Sequence, residues 1–270
     1  MARIETAYAK INLALHVRRR REDGYHDIET LFAFVDAGDV LTARPADRDA
    51  LHVVGDFADQ STDPLGNIVG RALTLLPRRQ GMAIMLEKNL PVAAGLGGGS
   101  ADAGAVFRLV RAEHGLPDDW RERAARLGAD VPACVESVAC IGRGTGIVLE
   151  PVENDLEGMS VLLVNPRVPL ATGPVFAAWD GIDRGPLPGG PVSYVAHEGR
   201  NDLAGPAIKL CPPVADVLLA LRDTPAEIVR MSGSGATCYA LFRRHDVMRE
   251  AANELAVGHP GWWQMEGRLR

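Results

Sequence analysis

The sequence contains no uninterrupted apolar run that approaches roughly 18 residues, the length that a membrane-spanning helix requires. Its first residues, MARIETAYAKINLALHV, lack the basic region and apolar core of a signal peptide, so we expect a cytoplasmic protein without a membrane partner. An excess of basic residues is also missing, because the formal net charge is −6. This acidic balance argues against a general nucleic-acid-binding function.

Cysteine is scarce, and its spacing excludes the common metal and redox motifs. The chain has no CxxC pair, and no histidine lies at zinc-ligand spacing from its four cysteines, Cys134, Cys140, Cys211 and Cys238. We therefore predict reduced, buried thiols. A hydrophobic content of 47% with 24% charged residues indicates a folded protein, and 270 residues favour two domains.

The periodicity favours an α+β fold, because strand-like and helix-like patterns do not alternate regularly. Alternating apolar residues over 4–17 predict a half-buried strand whose polar face carries Tyr8, Lys10, Asn12 and His16. Further strands are predicted at 31–36, 51–54 and 82–87, and helices at 67–76, 100–113, 118–127 and 246–256. The strand SVLLVNP begins a second unit, so we predict a domain border near residue 155, with domains 1–155 and 156–270.

The stretch KNLPVAAGLGGGSADAGA, residues 88–105, is a candidate anion site. Four glycines come just before Ser100: Gly95, Gly97, Gly98 and Gly99. Glycine backbone that opens onto a helix N-terminus, here predicted with Ser100 as its N-cap, offers free N–H groups to a phosphate, although the stretch could also be a plain flexible turn. No lysine precedes Ser100, which excludes a P-loop, and Ser100 stands where a dinucleotide fingerprint needs a third glycine. A phosphate loop of another kind remains.

Other candidate residues each have an ordinary alternative. Lys10 is either a site residue or a solvated lysine, and Asp130, between Gly128 and Pro132, is either a site residue or a plain helix N-cap. The glycine turn SGSGAT, residues 232–237, is a small hairpin or an anion-binding nest. The run RRRRED predicts a solvated loop, because acidic residues follow the arginines at once.

Five segments together resemble the successive signatures of the GHMP-type small-molecule kinases: YAKINLALHV, DGYHDIETLF, KNLPVAAGLGGGSADA, LGADVPAC and MSGSGATCYALF. The resemblance runs in the same order from about residue 7 to 242. It implies two α+β domains, the first ribosomal-S5-like and the second ferredoxin-like. The glycine loop indicates only the superfamily. AKINLAL with DGYH indicates a member that uses ATP and Mg²⁺ to phosphorylate the 2-hydroxyl of a cytidine-diphosphate-linked methylerythritol in non-mevalonate isoprenoid synthesis.

The resemblance also assigns residues. Asp130 is the implied catalytic base, and Lys10 orients it and stabilises developing charge. The implied ATP residues are Asn67 and Lys88 near the nucleoside, with Gly95, Gly97, Gly98, Gly99 and Ser100 around the phosphates. Ser100 is the one loop hydroxyl available to a phosphate or to Mg²⁺, because Ala101 stands where some members have a second serine.

The implied substrate residues lie in both halves of the sequence. Tyr25 and Phe176 stack on cytosine in this interpretation, and His26 reads its hydrogen-bonding edge. Asn12 and Thr172 line the substrate pocket, and the turn residues Gly233, Ser234, Gly235 and Ala236 close on the substrate phosphates. The arginine run has no assigned role.

Two alternative functions remain at this point. One is a GHMP kinase for another small alcohol. The other is a nucleotide-binding module without catalysis, which would use the arginine run to hold an acidic partner. Proximity of Asp130 to Lys10 would favour catalysis over binding alone. The sequence carries no signal for an oligomeric state.

Overall fold

The computed structural model describes residues 2–61 and 67–270. The chain forms two compact units, and each combines separate stretches of sequence. Unit 1 comprises residues up to Lys10, Ala37–Val92 and Gly97–Ser137; unit 2 comprises Ile11–Asp36, Ala93–Leu96 and Val138–Arg270. Both units contain helices and strands, so the α+β prediction is confirmed, whereas the border near residue 155 stays a prediction.

Two long strands supply backbone to both units: β1 (Arg3–Arg20) and β2 (His26–Ala46), which pair with each other. Unit 1 adds β3 (Ala50–Val54) and β4 (Gly81–Glu87). There β2 runs antiparallel to β4 from Val40↔Glu87 to Ala46↔Gly81, and β3 lies parallel to β4. The helices of unit 1 are α1 (Ile68–Leu75), α2 (Gly98–His114), α3 (Trp120–Leu127) and α4 (Val131–Glu136), with a short 3₁₀ helix at Ala58–Ser61.

In unit 2, β2 pairs with β5 (Cys140–Gly144), which continues as a hairpin into β6 (Val148–Pro151). A four-stranded antiparallel sheet has the order β10-β7-β9-β8, formed by β7 (Ser160–Asn165), β8 (Ile228–Met231), β9 (Cys238–Phe242) and β10 (Trp263–Arg268). The helices of unit 2 are α5 (Thr172–Ala177), α6 (Val192–Glu198), α7 (Ala204–Leu210), α8 (Pro213–Arg222) and α9 (His245–Gly258).

Local patterns are largely confirmed. The predicted helices and strands are all present, and the glycine turn at 232–237 joins β8 to β9 as expected. The four cysteines are buried, as predicted. The prediction that Ser100 caps its helix is wrong, because α2 begins at Gly98 and Gly97 occupies the N-cap with a φ of 61°. The carbonyl of Gly97 accepts the N–H of Ala101 at 2.8 Å, which places Ser100 inside the first turn.

The prediction that β1 is half-buried is also wrong. Three side chains of the predicted polar face are fully buried, with exposed fractions of 4% for Lys10, 2% for Asn12 and 1% for His16. Each polar side chain has partners within its own unit, which lowers the cost of burying it. The solvated loop predicted for the arginine run is wrong in part, because β1 continues through Arg20.

A close approach of α2 and α4 sets the position of the α4 N-terminus. A Cβ added to Gly104 would lie 2.4 Å from the carbonyl oxygen of Cys134, so only glycine fits there. The guanidinium of Arg108 donates to the carbonyls of Cys134 at 2.6 Å and Thr6 at 2.7 Å, and pairs with Glu5 at 2.8 Å. These contacts tie α2 to both α4 and β1, the two elements that carry Asp130 and Lys10.

Candidate active site

Lys10 and Asp130 form an ion pair in unit 1, with 3.0 Å between Nζ and Oδ2. The lysine side chain is 5% exposed and the aspartate side chain 30% exposed. Asp130 stands at the N-cap of α4, but its side chain makes no capping hydrogen bond, so the plain N-cap alternative does not explain it. A partly exposed carboxylate that is held by a buried ammonium can accept a proton from an arriving hydroxyl group.

The glycine loop of unit 1 lies against this ion pair. A Cβ added to Gly97 would lie 3.0 Å from Cε of Lys10 and 3.8 Å from Oδ2 of Asp130. Gly98, Gly99 and Ser100 then form the first turn of the 17-residue helix α2, whose N–H groups lack intrahelical acceptors. The structure therefore brings an anion-binding helix terminus beside a lysine and a carboxylate.

Asn67 lies at the start of α1, where its Oδ1 accepts the N–H of Val69 at 2.9 Å. The next residue, Ile68, approaches the loop, because its Cγ2 would be 3.7 Å from a Cβ added to Gly99. Asn67 therefore occupies a capping position beside the predicted phosphate loop.

Lys88 lies in a buried cluster with two aspartates of unit 1. Its Nζ donates to Asp102 Oδ2 at 2.8 Å and also to Asp39 Oδ2, and all three residues are at most 3% exposed. Burial acts to lower the pKa of Lys88, but the two carboxylates outweigh it and raise that pKa. Burial also raises the pKa of Asp102 well above its ordinary value. The ammonium of Lys88 is thus compensated inside the unit.

The cluster supports the backbone that carries the loop. Asp39 Oδ1 accepts the N–H groups of Asn89 at 2.6 Å and Leu90 at 2.8 Å. A Cβ added to Gly98 would lie 3.6 Å from Nζ of Lys88 and 3.7 Å from Oδ2 of Asp39. The contact of Lys88 with a nucleoside stays a prediction, and the geometry gives this lysine a supporting position under Gly98.

The second glycine turn belongs to unit 2 and is pinned by hydrogen bonds. Ser232 Oγ donates to the carbonyl of Gly95 at 2.7 Å and accepts the N–H of Asn12 at 3.2 Å. Asn201 Nδ2 donates to the carbonyls of Met231 and Gly233, both at 2.8 Å. A Cβ added to Gly95 would lie 2.3 Å from the Ser232 carbonyl oxygen. Gly95 is therefore packed tightly against this turn.

Several predicted substrate residues meet at this turn. Asn12 Nδ2 donates to Thr30 Oγ1 at 2.7 Å, and Asn12 Oδ1 would lie 3.1 Å from a Cβ added to Gly233. The hydroxyls of Thr172 and Ser234 are 3.0 Å apart. Gly235 and Ala236 complete the same turn, in which Gly235 has a φ of 84°. The structure thus gathers Asn12, Thr172 and the turn residues in unit 2.

The predicted base-binding residues also lie in unit 2. The rings of His26 and Phe176 have centroids 5.1 Å apart, and Trp179 packs edge-on to His26 at 5.8 Å. Tyr25 is 65% exposed, which leaves its ring accessible to a ligand. Burial lowers the pKa of His26, and the nearby charge of Arg20 lowers it further. The imidazole is therefore neutral at neutral pH.

Sequence reasoning missed four supporting residues: Asp39, Asn201, Ser232 and Trp179. Asp39 meets Lys88 across 49 residues, a separation at which no spacing rule applies. Composition could have drawn attention to Trp179, because aromatic residues make up only 5% of the chain. Asn201 and Ser232 act through backbone partners, which leave no pattern in side-chain chemistry.

Among residues 2–61 and 67–270, no group of three or more histidine, cysteine, aspartate or glutamate side chains could hold a metal ion. Mg²⁺ at a nucleotide takes most of its ligands from phosphate oxygens and water and one or two from protein. Ser100, on the first turn of α2, offers a hydroxyl oxygen of the required hardness. In the same described part of the chain, no helix combines the length and apolarity needed to cross a membrane.

Comparisons with known proteins agree with this geometry. The GHMP kinases N terminal domain family matches residues 67–137, and the GHMP kinases C terminal family matches residues 195–258. The chain is 64% identical over 270 residues to a 4-diphosphocytidyl-2-C-methyl-D-erythritol kinase of Erythrobacter litoralis, covering 98% of this chain and 99% of the relative. It is 65% identical over 266 residues to the kinase of that name from Novosphingobium aromaticivorans, covering 98% and 92%.

Solved structures give the same result. A crystal structure of 4-(cytidine 5'-diphospho)-2C-methyl-D-erythritol kinase is similar with a TM-score of 0.82 and 33% identity, covering 100% of this chain and 99% of the other. A homoserine kinase from Cytophaga hutchinsonii has a TM-score of 0.66 at 16% identity, covering 98% and 94%, which indicates a shared fold.

Proposed function

We propose, because this chain belongs to the GHMP kinases and within them to the 4-diphosphocytidyl-2-C-methyl-D-erythritol kinase family, that it transfers the γ-phosphoryl group of ATP to the 2-hydroxyl of 4-diphosphocytidyl-2-C-methyl-D-erythritol. This reaction belongs to non-mevalonate isoprenoid precursor synthesis. The observation that carries the proposal is the Lys10–Asp130 pair at 3.0 Å, which lies against Gly97 at the start of α2.

Asp130 acts as the base in this proposal. The substrate 2-hydroxyl oxygen attacks the γ-phosphorus, its proton passes to the Asp130 carboxylate, and the bond to the β,γ-bridging oxygen breaks to release ADP. The ammonium of Lys10 orients that carboxylate, because Nζ and Oδ2 are only 3.0 Å apart. The partial exposure of Asp130 supports this role, since the base has to meet a substrate.

The ATP phosphates bind at the first turn of α2 in this proposal. The N–H groups of Gly98, Gly99 and Ser100 supply donors and the positive end of the helix dipole, which suit a polyphosphate. Ser100 would offer an oxygen to Mg²⁺, which when bound would neutralise charge on the phosphate oxygens. Asn67, at the N-cap of α1, contacts the nucleoside in this proposal, while Lys88 supports Gly98 from beneath.

Local positive charge has to offset the net charge of −6 if the site is to attract two anionic substrates. The α2 N-terminus supplies it in unit 1, whereas the ammonium of Lys10 is paired with Asp130 and that of Lys88 with Asp39 and Asp102. The requirement for ATP supports a cytoplasmic location.

Unit 2 supplies the cytidine site in this proposal. The exposed ring of Tyr25 and the ring of Phe176 stack on cytosine, and His26 meets its polar edge. The hydroxyls of Thr172 and Ser234, with Asn12, bind the methylerythritol and diphosphate portions. Backbone N–H groups at Gly233 and Ala236 add a nest for the substrate phosphates, while the N–H of Gly235 closes the turn by donating to the Ser232 carbonyl at 2.9 Å.

The activity is tested by incubating the protein with ATP, Mg²⁺ and one alcohol at a time, with ADP release as the signal. The alcohols are 4-diphosphocytidyl-2-C-methyl-D-erythritol, homoserine, mevalonate and galactose. ADP release with the first alone, and a ³¹P resonance of a new phosphate monoester, support the proposal. Turnover of another alcohol with none for the cytidine compound would identify a different GHMP kinase. ATP binding without any turnover would favour the non-catalytic module.

A further inference from the structure

The four consecutive arginines at 18–21 do not form a free basic patch. Three of them pair with carboxylates of unit 2: Arg18 with Glu29 and Asp183, Arg19 with Asp27, and Arg21 with Asp23 and Asp27. Arg20 differs, because within the described residues it pairs with no carboxylate. Its Nη2 donates to the carbonyl of Ala177 at 3.0 Å, and its Nε donates to Nε2 of His26 at 3.4 Å.

This contact defines the hydrogen position on the His26 ring. The Nε of arginine is always a donor, so Nε2 of His26 has to be the acceptor. A neutral imidazole carries one hydrogen, which therefore lies on Nδ1. The bond from Arg20 to the carbonyl of Ala177, at the end of α5, holds the guanidinium in place, and Phe176 and Trp179 pack against the ring.

The charged surroundings of His26 agree with a neutral ring. Arg20 on β1 is the cation that faces it, and the rings packed on it from the α5 side belong to phenylalanine and tryptophan. The carboxylate of the next residue, Asp27, is bound by Arg19 and Arg21. Burial lowers the pKa of His26, and the charge of Arg20 lowers it further.

The Nδ1–H group distinguishes two pyrimidines. In the described part of the chain it has no hydrogen-bond acceptor within the protein, so a ligand can supply one. At position N3, cytosine carries an acceptor and uracil carries a donor. A fixed N–H donor therefore satisfies cytosine, while against uracil two donors meet and both lose their hydrogen bonds.

We propose that Arg20 is a positioning residue that fixes the hydrogen of His26 on Nδ1 and thereby selects the cytosine over the uracil form of the substrate. This inference rests on the proposed function, because it names what determines base choice in the same reaction. It also gives the arginine run a role that the sequence did not suggest.

Two substitutions separate the donor from the rest of the arginine. Lysine keeps a cationic donor that cannot accept a hydrogen bond, and methionine places a methyl group where the arginine Nε stands. Arg20→Lys therefore retains the Nδ1–H tautomer, whereas Arg20→Met lets the hydrogen move to Nε2 and turns Nδ1 into an acceptor. Arg19→Met is the control, because Arg19 contacts Asp27 and is 73% exposed.

The main readout is the ratio of kcat/KM for the cytidine-diphosphate-linked substrate to that for its uridine counterpart. At pH 8 we expect Arg20→Met to lower this ratio by about tenfold or more, the effect of one lost hydrogen bond. Arg20→Lys and Arg19→Met keep it within about twofold.

The second readout is the ¹⁵N spectrum of the His26 ring, assigned by its absence from His26→Gln. We expect the wild-type protein and Arg20→Lys to have hydrogen on Nδ1 and a bare Nε2, and Arg20→Met to have the reverse. Hydrogen on Nε2 in the wild-type protein overturns the proposal, as does an equal loss of base selection in the Lys and Met variants. The spectrum needs no turnover, so a failure of the proposed reaction would appear separately as absence of ADP release by the wild-type protein.

Discussion

Replacing Asp130 by asparagine tests the centre of the proposed mechanism. The substitution keeps the size of the side chain and an oxygen that can accept from Lys10, and it removes the negative charge and the ability to take a proton. Removal of a general base costs about 10² to 10⁴ in rate. We expect kcat to fall by that factor, while the affinity for ATP, which binds at the α2 N-terminus, changes little.

The structure also gives the expected change in stability. Unit charges 3.0 Å apart interact by about 5 kcal/mol at an effective dielectric constant near 20. Much of this is offset, because the Asp130 side chain is 30% exposed and water can replace it beside Lys10. A net loss of about 1 to 2 kcal/mol corresponds to a decrease in Tm of roughly 2 to 8 °C. The variant therefore stays folded at 25 °C, and its loss of rate is chemical.

The assay combines steady-state ADP release, ATP titration by calorimetry and thermal unfolding. Asp119→Asn is a matched control, because Asp119 is at the N-cap of the neighbouring helix α3 and pairs with Arg123 at the surface. We expect that control to keep its kcat. The role of Asp130 would be refuted by a variant that retains more than half of the wild-type kcat, or by one whose ATP affinity falls as much as its rate.

The remaining predictions concern binding and packing. Gly98→Val weakens ATP binding strongly with the fold retained, because the branched side chain crowds Lys88 and distorts the backbone that meets the phosphates; calorimetry measures this. Tyr25→Ala raises KM for the cytidine substrate about tenfold, the effect of one lost stacking contact, and leaves KM for ATP unchanged. Gly104→Ala destabilises the protein by about 1 to 3 kcal/mol in urea unfolding, because its methyl group would overlap the Cys134 carbonyl.

The predictions for Tyr25 and Gly104 have matched controls in the same chain. Tyr194→Ala removes another exposed tyrosine, on α6, and should leave both KM values unchanged. Gly205→Ala adds a methyl group to α7 where no atom lies within 4 Å, so it should be neutral or slightly stabilising. Unaltered ATP affinity in Gly98→Val would show that the loop is a plain turn and does not bind the ATP phosphates. A weaker ATP affinity in Tyr25→Ala would move the predicted cytidine site, and equal stability of the two alanine variants would contradict the close packing of α2 on α4.

The sequence predicted local structure well because local structure depends on neighbours in sequence. Apolar spacing located the helices, and the glycine turn between two apolar runs located the β8–β9 connection. Prediction from the sequence failed where a contact between residues distant in sequence determines the local structure. Ser100 has the better capping side chain, yet Gly97 takes the N-cap, because the turn there needs a positive φ and close contact with Lys10.

The burial of polar side chains in β1 shows the same limit of prediction from the sequence. Alternation of apolar and polar residues normally indicates one wet face. In this strand Asn12 finds Thr30, and His16 hydrogen-bonds to the Gly185 carbonyl at 3.1 Å and to the N–H of Arg200 at 3.2 Å. Partners of this kind come from far along the chain, so the pattern in the strand itself could not distinguish a solvent-facing side from a satisfied polar interior.

The two lysines of unit 1 show why function was harder to predict than fold. Sequence resemblance placed Lys10 at the catalytic base and Lys88 near the nucleoside. The structure pairs Lys10 with the partly exposed carboxylate of Asp130 and Lys88 with two buried carboxylates, so the Lys10 pair remains open to a reacting group and the Lys88 cluster does not. Two carboxylates around one ammonium raise the pKa of Lys88 despite burial and hold it charged under the loop. The number and exposure of the aspartates around each lysine, which only the fold determines, therefore separate a lysine that can take part in chemistry from one that positions backbone.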